Sequence, residues 1–297
     1  MKFGLVANDR KKLFWRKLPQ LLKWFRANDI SLLLSKRITD HENFDGNSQE
    51  FQICPEAELH HNCDMILAIG GDGTILRTVQ TIAAKETPIL GINVGGLGFL
   101  TEIPLEDFTK EFKKILAGEY RIEKRLMIKG NIKGDPEPLY ALNEITIDKG
   151  SSVRVIEIKV DVDRKNLNSY IADGLLISTP TGSTGYSLSS VGPIVVPSAE
   201  VLLINPICPH SLTVRPIIIP ADVHIKATVR TEHSEVIIAA DGRDVRRCKS
   251  RTEMTIEKAP FSANLVKPLD SNFFQLLQNK LNWGKDFRNK NRWSFDS

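Results

Sequence analysis

Four short apolar runs, each followed by a helix-like stretch, constrain this chain more than any other feature. KFGLVA (2–7), ISLLLS (30–35), MILAIG (65–70) and PILGINV (88–94) are apolar nearly throughout instead of alternating with polar residues. A strand reads that way when both of its faces are covered, as in a parallel sheet flanked by helices. Between the runs, residues 11–28 carry Leu13, Phe14, Leu18, Leu21, Leu22 and Phe25 at helical spacing, and residues 74–85 carry Ile75, Leu76, Val79, Ile82 and Ala83. LEDFTKEFKKILAG (105–118) reads as a further helix closed by Gly118. Strand–helix alternation of this kind specifies a doubly wound α/β domain over residues 1–120.

After residue 120 the pattern changes. ALNEITID, VRVIEIKVDVD, DGLLIST, VLLINPI, RPIIIP, DVHIKATVR, EVIIAADG and TEMTIEK are short, β-rich and often alternating, with turns between them. They predict an antiparallel, sandwich-like β-rich domain over 121–269. SNFFQLLQNKL (271–281) resembles the helices of the first half, so the segment 270–297 is expected to complete the α/β domain.

Bulk properties narrow the function classes. The chain has 297 residues, 40 Lys and Arg against 36 Asp and Glu, and a net charge of +4. That excess is too small and too dispersed for a nucleic-acid partner. The basic residues at Lys11, Lys12, Arg16, Lys17, Lys23 and Arg26 read as the solvated face of a helix. Lys285, Arg288, Lys290 and Arg292 read as a solvated tail. No apolar run approaches the ~18 residues that a membrane span requires, and MKFGLVANDR reads as a first strand, not a secretory leader. Cys54, Cys63, Cys208 and Cys248 lack CxxC spacing and read as free thiols, which suits a reducing cytoplasm.

Three motifs carry chemistry. GGDGT (70–74) lies between a buried strand and a helix, where ligands of α/β sheets sit. Gly70, Gly71 and Gly73 let backbone N–H groups approach an anion, and a helix N-terminus favours negative charge. Asp72 would repel phosphates unless it binds a metal or takes a proton from an attacking hydroxyl, both of which belong to phosphoryl transfer; a tight Asp-Gly turn is the plain alternative. The chain has neither a GxxxxGK[ST] nor a GxGxxG run, and GGLGFL (95–100) does not match the latter. In ALNEITID, Asn143 and Glu144 would point to opposite faces of a regular strand, so a strand end or bulge is needed for both to reach one ligand; a surface turn is the alternative. ADGLLISTPTGSTGYSLSSVGPIV (172–195) crowds hydroxyls and glycines between apolar runs, giving either a polar binding wall on which Tyr186 stacks or a Ser/Thr/Gly linker.

Together GGDGT, LNE and DGLLISTPTGSTGYS resemble the NAD kinase family, and GINVGGLGFLTE (91–102), ICPHSLTVRPIIIP (207–220) and AADGR (239–243) extend the resemblance over most of the chain. GGDG alone is shared with 6-phosphofructokinases and diacylglycerol-type lipid kinases; the NE pair and TGSTGYS make the assignment specific. The resemblance implies a phosphotransferase that phosphorylates the 2′-hydroxyl of the adenosine ribose of NAD to give NADP. The donor is ATP, another nucleotide or polyphosphate. The resemblance also implies a divalent metal, usually magnesium, with no ligand residues assigned, and a homo-oligomer, dimer or tetramer. It implies a Rossmann-like N-terminal domain, makes Asp72 the general base with Gly73 beside it on the ligand, sets Gly71 among the substrate- and nucleotide-binding residues, and places Arg77 at a phosphate. It puts Asn143 and Glu144 at the adenosine part, Asp173 on the nicotinamide side, and Arg154 at the ligand. Thr184, Gly185, Tyr186, Ser187, Leu188 and Ser189 would line the dinucleotide pocket. Three positions depart from the family pattern. Gly185 replaces a common Ala, Val191 precedes Gly192-Pro193 where Gly is common, and Arg243 replaces a common Gln. Arg243 therefore meets either a phosphate or solvent.

Overall fold

The apolar runs of the first half do form one parallel sheet. The structure is a computed structural model that describes residues 1–46, 51–232 and 235–284. The basic tail at Lys285, Arg288, Lys290 and Arg292, like the rest of the expected segment 270–297 beyond Gly284, lies outside the described residues. β1 (Lys2–Ala7), β2 (Ser31–Ser35), β3 (Gln52–Cys54), β4 (Met65–Gly70) and β5 (Ile89–Asn93) pair in parallel, with short β6 (Ile103–Pro104) beside β5. They are linked by α1 (Lys12–Ala27), α2 (Lys36–Thr39), α3 (Leu59–Asn62), α4 (Asp72–Ile82) and α5 (Phe108–Leu116). β4 shows why the runs are unbroken. Met65, Leu67 and Ile69 enter the core under α1 and α5, while Ile66 and Ala68 enter the one under α4. On α1 the buried stripe is Phe14, Leu18, Leu21, Leu22 and Phe25, the helical repeat expected from the sequence.

The strand order across this part is β3-β2-β1-β4-β5. The chain winds one way from β1 to β3, then crosses back to the other side of β1. The loops leaving β1 and β4 therefore diverge and open a crevice at their carboxyl ends.

The second half is a sandwich of antiparallel strands. It comprises β7 (Tyr120–Ile132), β8 (Leu139–Ala141), β9 (Glu144–Asp148), β10 (Ile156–Val162), β11 (Lys165–Ala172), β12 (Gly174–Ser178), β13 (Val201–Ile207), β14 (Ile217–Pro220), β15 (Ile225–Arg230), β16 (Val236–Ala240), β17 (Asp244–Cys248) and β18 (Glu253–Pro268). One sheet runs β14-β13-β12-β9-β16-β17. Its Ile145, Ile147, Leu175 and Ile177 share a core with Ile158, Val160, Ala227 and Ile256 of the facing sheet. Two helices complete the fold: α6 (Tyr186–Ser189) and α7 (Phe273–Leu281).

The facing sheet does not stop at residue 120. β18 pairs with β15 at its start, with β7 along its length, and in parallel with β5 through Leu265↔Ile89 and Val266↔Leu90. One sheet thus runs from β11 at one edge to β3 at the other. Among the described residues no helix is long and apolar enough to cross a membrane, and the four cysteines are unpaired.

Candidate active site

The crevice at the switch between β1 and β4 is a cavity of about 340 Å³. Asn8, Asp9, Arg10 and Lys11 border it after β1, Gly71, Gly73 and Thr74 after β4, and Asn93, Val94 and Gly96 after β5. A Cβ placed on Gly71 or Gly73 would meet no atom within 4 Å, so both glycines face open space. Cations surround that space: Arg10, Lys11, Arg37, Arg77 and Arg243 all line it. Lys11 is exposed, like Lys12, Arg16, Lys23 and Arg26, and it also borders the cavity. Arg77 is anchored by donating to the Ala7 carbonyl at 2.7 Å and to Glu56 at 3.0 Å, which leaves its buried Nε without a protein partner. Asp9 is tied to Arg37 at 2.6 Å, and that hydrogen bond holds its carboxyl below the usual carboxylate range. Arg243 is exposed; it lines the cavity and donates to the Gly73 carbonyl at 3.4 Å. The site is anion-seeking, and the start of α4 faces into it.

Asp72 opens α4, and its carboxylate is gripped by the loop after β5. Phe99 N–H donates to one oxygen at 2.8 Å; Leu100 N–H, Thr101 N–H and the Thr101 hydroxyl donate to the other at 3.0, 3.2 and 3.1 Å. The Thr101 hydroxyl in turn accepts from Asn93 Nδ2 at 3.2 Å. The loop must come this close: a Cβ on Gly98 would stand 2.0 Å from the Asp72 carboxylate. Beneath it, the buried Lys267 pairs with Glu102, and its ammonium lies 3.4 Å from the Phe99 and Leu100 carbonyls. Those carbonyls belong to the peptide groups whose N–H ends point at Asp72. Lys280 of α7 approaches the same carboxylate at 3.5 Å.

Asn143 lies at a strand end between β8 and β9, which is how an adjacent amide and carboxylate come to serve one place. The turn joining β16 to β17 fixes them. Asp241 and Gly242 have positive φ there, at 51° and 62°, and the Asp241 carboxylate accepts from the N–H groups of Leu142, Asn143 and Glu144 at 3.0, 2.8 and 3.1 Å. Asn143 Oδ1 and Glu144 Oε2 are buried without a protein partner. Burial, then the charge of Asp241, pushes the Glu144 carboxyl up to about 8. Burial raises Asp241 to about 6, although its three N–H bonds pull it back.

The hydroxyl-rich segment is an ordered wall. Thr181–Thr184 forms a short 3-10 turn before α6. Ser178 and Thr179 donate to the carbonyls of Asn143 and Leu142, and Ser183 bonds both Pro180 and Val195. Ser187 is turned inward and accepts from Asn205 at 3.2 Å. Thr184 bonds the Thr181 carbonyl. Gly185 stands next to the paired residues: a Cβ there would come 3.3 Å from Asn143 Nδ2 and 3.5 Å from Glu144 Oε2. Tyr186 and Ser189 are exposed and Leu188 is half-buried. Asp173 is held by Lys149 at 2.7 Å. Arg154 is not brought to the cavity. It pairs with Glu232 at 2.8 Å and lines a groove with Ile171 and Arg230.

The family model of the ATP-NAD kinase N-terminal domain matches residues 3–120, and that of the ATP-NAD kinase C-terminal domain matches residues 142–268. The chain belongs to the NAD kinase family. It is 36% identical to an NAD kinase of Moorella thermoacetica over 95% of this chain and 90% of that one. It is 37% identical to an NAD kinase of Caldanaerobacter subterraneus over 94% and 98%. Its fold matches that of an NAD kinase from Archaeoglobus fulgidus solved in complex with ATP, with a TM-score of 0.74, 27% identity and coverage of 95% and 98%. A yeast NADH kinase complexed with NADH gives a TM-score of 0.87 at 22% identity, covering 97% and 89%.

For this NAD kinase family member, sequence reading alone passed over Asp241, Gly98, Thr101, Lys267 and Lys280. Asp241-Gly242 carried a usable signal, an Asp-Gly turn between two alternating runs. The others stand 26 to 208 residues along the chain from Asp72, and no local pattern reports such contacts.

Proposed function

We propose that the chain phosphorylates the 2′-hydroxyl of the adenosine ribose of NAD, giving NADP, with ATP or another phosphoanhydride as donor. The turn at residues 240–243 carries this reading. Its Asp241 holds Asn143 and Glu144, which have unpartnered buried oxygens, and its Arg243 reaches the Gly73 carbonyl at the cation-lined cavity. An acceptor side rich in hydrogen-bond acceptors and a donor side rich in cations are thus joined by one short segment, with Asp72 at the head of α4. The ribose hydroxyls would donate to Glu144 and Asn143, Tyr186 and Gly185 would take the base, and the donor phosphates would lie on the glycine side against Arg77 and Arg243.

In the transfer, O2′ attacks the terminal phosphorus and its proton passes to Asp72. The bond from that phosphorus to the bridging oxygen breaks, and the nucleoside diphosphate leaves with the electron pair. Such transition states are loose, so positioning and charge neutralisation supply most of the acceleration. A divalent cation, magnesium by preference, would neutralise donor charge. Magnesium keeps several waters and is held mainly through substrate phosphates with one or two protein oxygens. Asn93 Oδ1, buried and unpartnered at the cavity, is the protein oxygen suited to meet it. We also propose a homo-oligomer in a reducing cytoplasm. The unpaired thiols and the exposed Val153 and Ile171 near Arg154 support that reading, and light scattering of purified protein tests the assembly.

Purified protein incubated with NAD, magnesium and either ATP or polyphosphate is expected to form NADP. Failure with every donor sinks the reading.

A further inference from the structure

α7 has no place in the mechanism above, yet it is built into the site. Its start is fixed: Asn272 accepts from the N–H groups of Phe274 and Gln275, and Arg121 donates to the carbonyls of Pro268, Leu269 and Ser271 just before it. Its buried face is Leu276 and Leu277, packed on Phe99 with Phe273 and Ile194 alongside. Phe99 is also the residue whose N–H holds Asp72. Lys280, one turn further along the same face, sets its ammonium 4.3 Å from the centroid of the Phe99 ring and 3.5 Å from Asp72. The contact with Asp72 is an ion pair longer than a good hydrogen bond, so the carboxylate does not consume the ammonium N–H donors.

We infer that Lys280 is a further charge-stabilising residue of the phosphoryl transfer, delivered to the reacting phosphate by the C-terminal helix. This rests on the proposed reading of Asp72 as the group that receives the O2′ proton. Before transfer, the ammonium faces a carboxylate. As O2′ bonds to phosphorus, the proton it releases neutralises that carboxylate while negative charge spreads over the phosphoryl oxygens. The same movement that releases Lys280 from Asp72 thus offers it a new anion a few ångströms away. An interaction that strengthens only in the transition state raises turnover without tightening substrate binding.

Full-length Lys280→Met and Lys280→Arg proteins test this, with kcat, KM for NAD, NAD affinity by calorimetry and melting temperature measured for each. Lys280→Met is expected to lower kcat by about 10–1,000-fold, with KM and NAD affinity within about threefold of the parent and an unchanged melting temperature. Lys280→Arg is expected to recover at least about a tenth of the parent kcat. A Met variant with parental kcat overturns the inference. A kcat loss accompanied by an equal loss of NAD affinity or of stability, with no recovery in the Arg variant, overturns it too. If the unmodified chain itself forms no NADP, the reading of the reaction falls, and the role of Lys280 with it; an active parent with an indifferent Met variant removes only Lys280.

Discussion

Glu144 illustrates how much a single side chain's setting decides. Its carboxyl is buried with one oxygen unpartnered and with Asp241 close by, so folding favours its protonated form. Its value rises from 4.5 to about 8. The folded state therefore holds the proton more tightly than the unfolded chain does. The resulting stability is complete below pH 4.5 and is lost as pH climbs toward 8. Gln reproduces the neutral acid in shape and charge. Glu144→Gln is expected to melt several degrees above the parent at pH 8 and together with it at pH 4.5, as read by calorimetry. The same variant is expected to bind NAD more weakly, because ribose hydroxyls prefer a carboxylate acceptor; NAD affinity of the parent should then rise with pH up to about 8. At Asp72 the expectation is the reverse. Asp72→Asn keeps the fold and NAD affinity but loses about 10²–10⁴-fold in turnover; parental turnover in that variant would remove the base role.

At the scale of elements, the loop from β4 into α4 links glycine to ligand space. Because a Cβ on Gly73 meets nothing in the free protein, Gly73→Ala is expected to fold with equal or slightly higher melting temperature, alanine being the better helix residue. The added methyl would project toward the donor, so the KM for ATP is expected to rise by about tenfold. An unchanged KM would mean that the donor lies elsewhere. Most elements were legible in the sequence for simple reasons. β4 and β5 are apolar because both faces are covered, and α1 repeats its apolar stripe every turn. β11 was not legible, because it is an edge strand with only Tyr170 and Ala172 buried, and Lys165, Asn166 and Asn168 give no alternation. GGDGT marked a loop that borders the cavity, and the Asn-Glu pair a strand end held by Asp241. The hydroxyl-rich segment read as either a wall or a linker, and its division of labour was not legible, since nothing local distinguishes Ser187, bonded inward to Asn205, from exposed Ser189.

On the scale of the molecule, two halves that differ in composition share a sheet. β18 has partners in both, and the sandwich core and the α/β core meet across it. Of the described tryptophans, Trp15 and Trp24 lie against the α/β core and Trp283 is exposed, whereas most strand residues belong to the sandwich. Unfolding followed by tryptophan fluorescence and by far-ultraviolet circular dichroism is expected to give coincident transitions; two separated midpoints would mean that the halves melt independently. The shared strand also rules on how the two substrates can meet. A hinge between halves needs a flexible segment that absorbs rotation; β18 is paired on both sides at Met254–Ile256 and at Leu265–Val266, which leaves only residues 259–261 between its paired stretches. The separation of donor cavity from acceptor wall follows the register of β18 on either side of the irregularity between Lys258 and Ser262. Deleting one residue there would move one side past the other by about 3.3 Å, enough to part a nucleophile from the phosphorus it attacks while leaving every site residue in the chain.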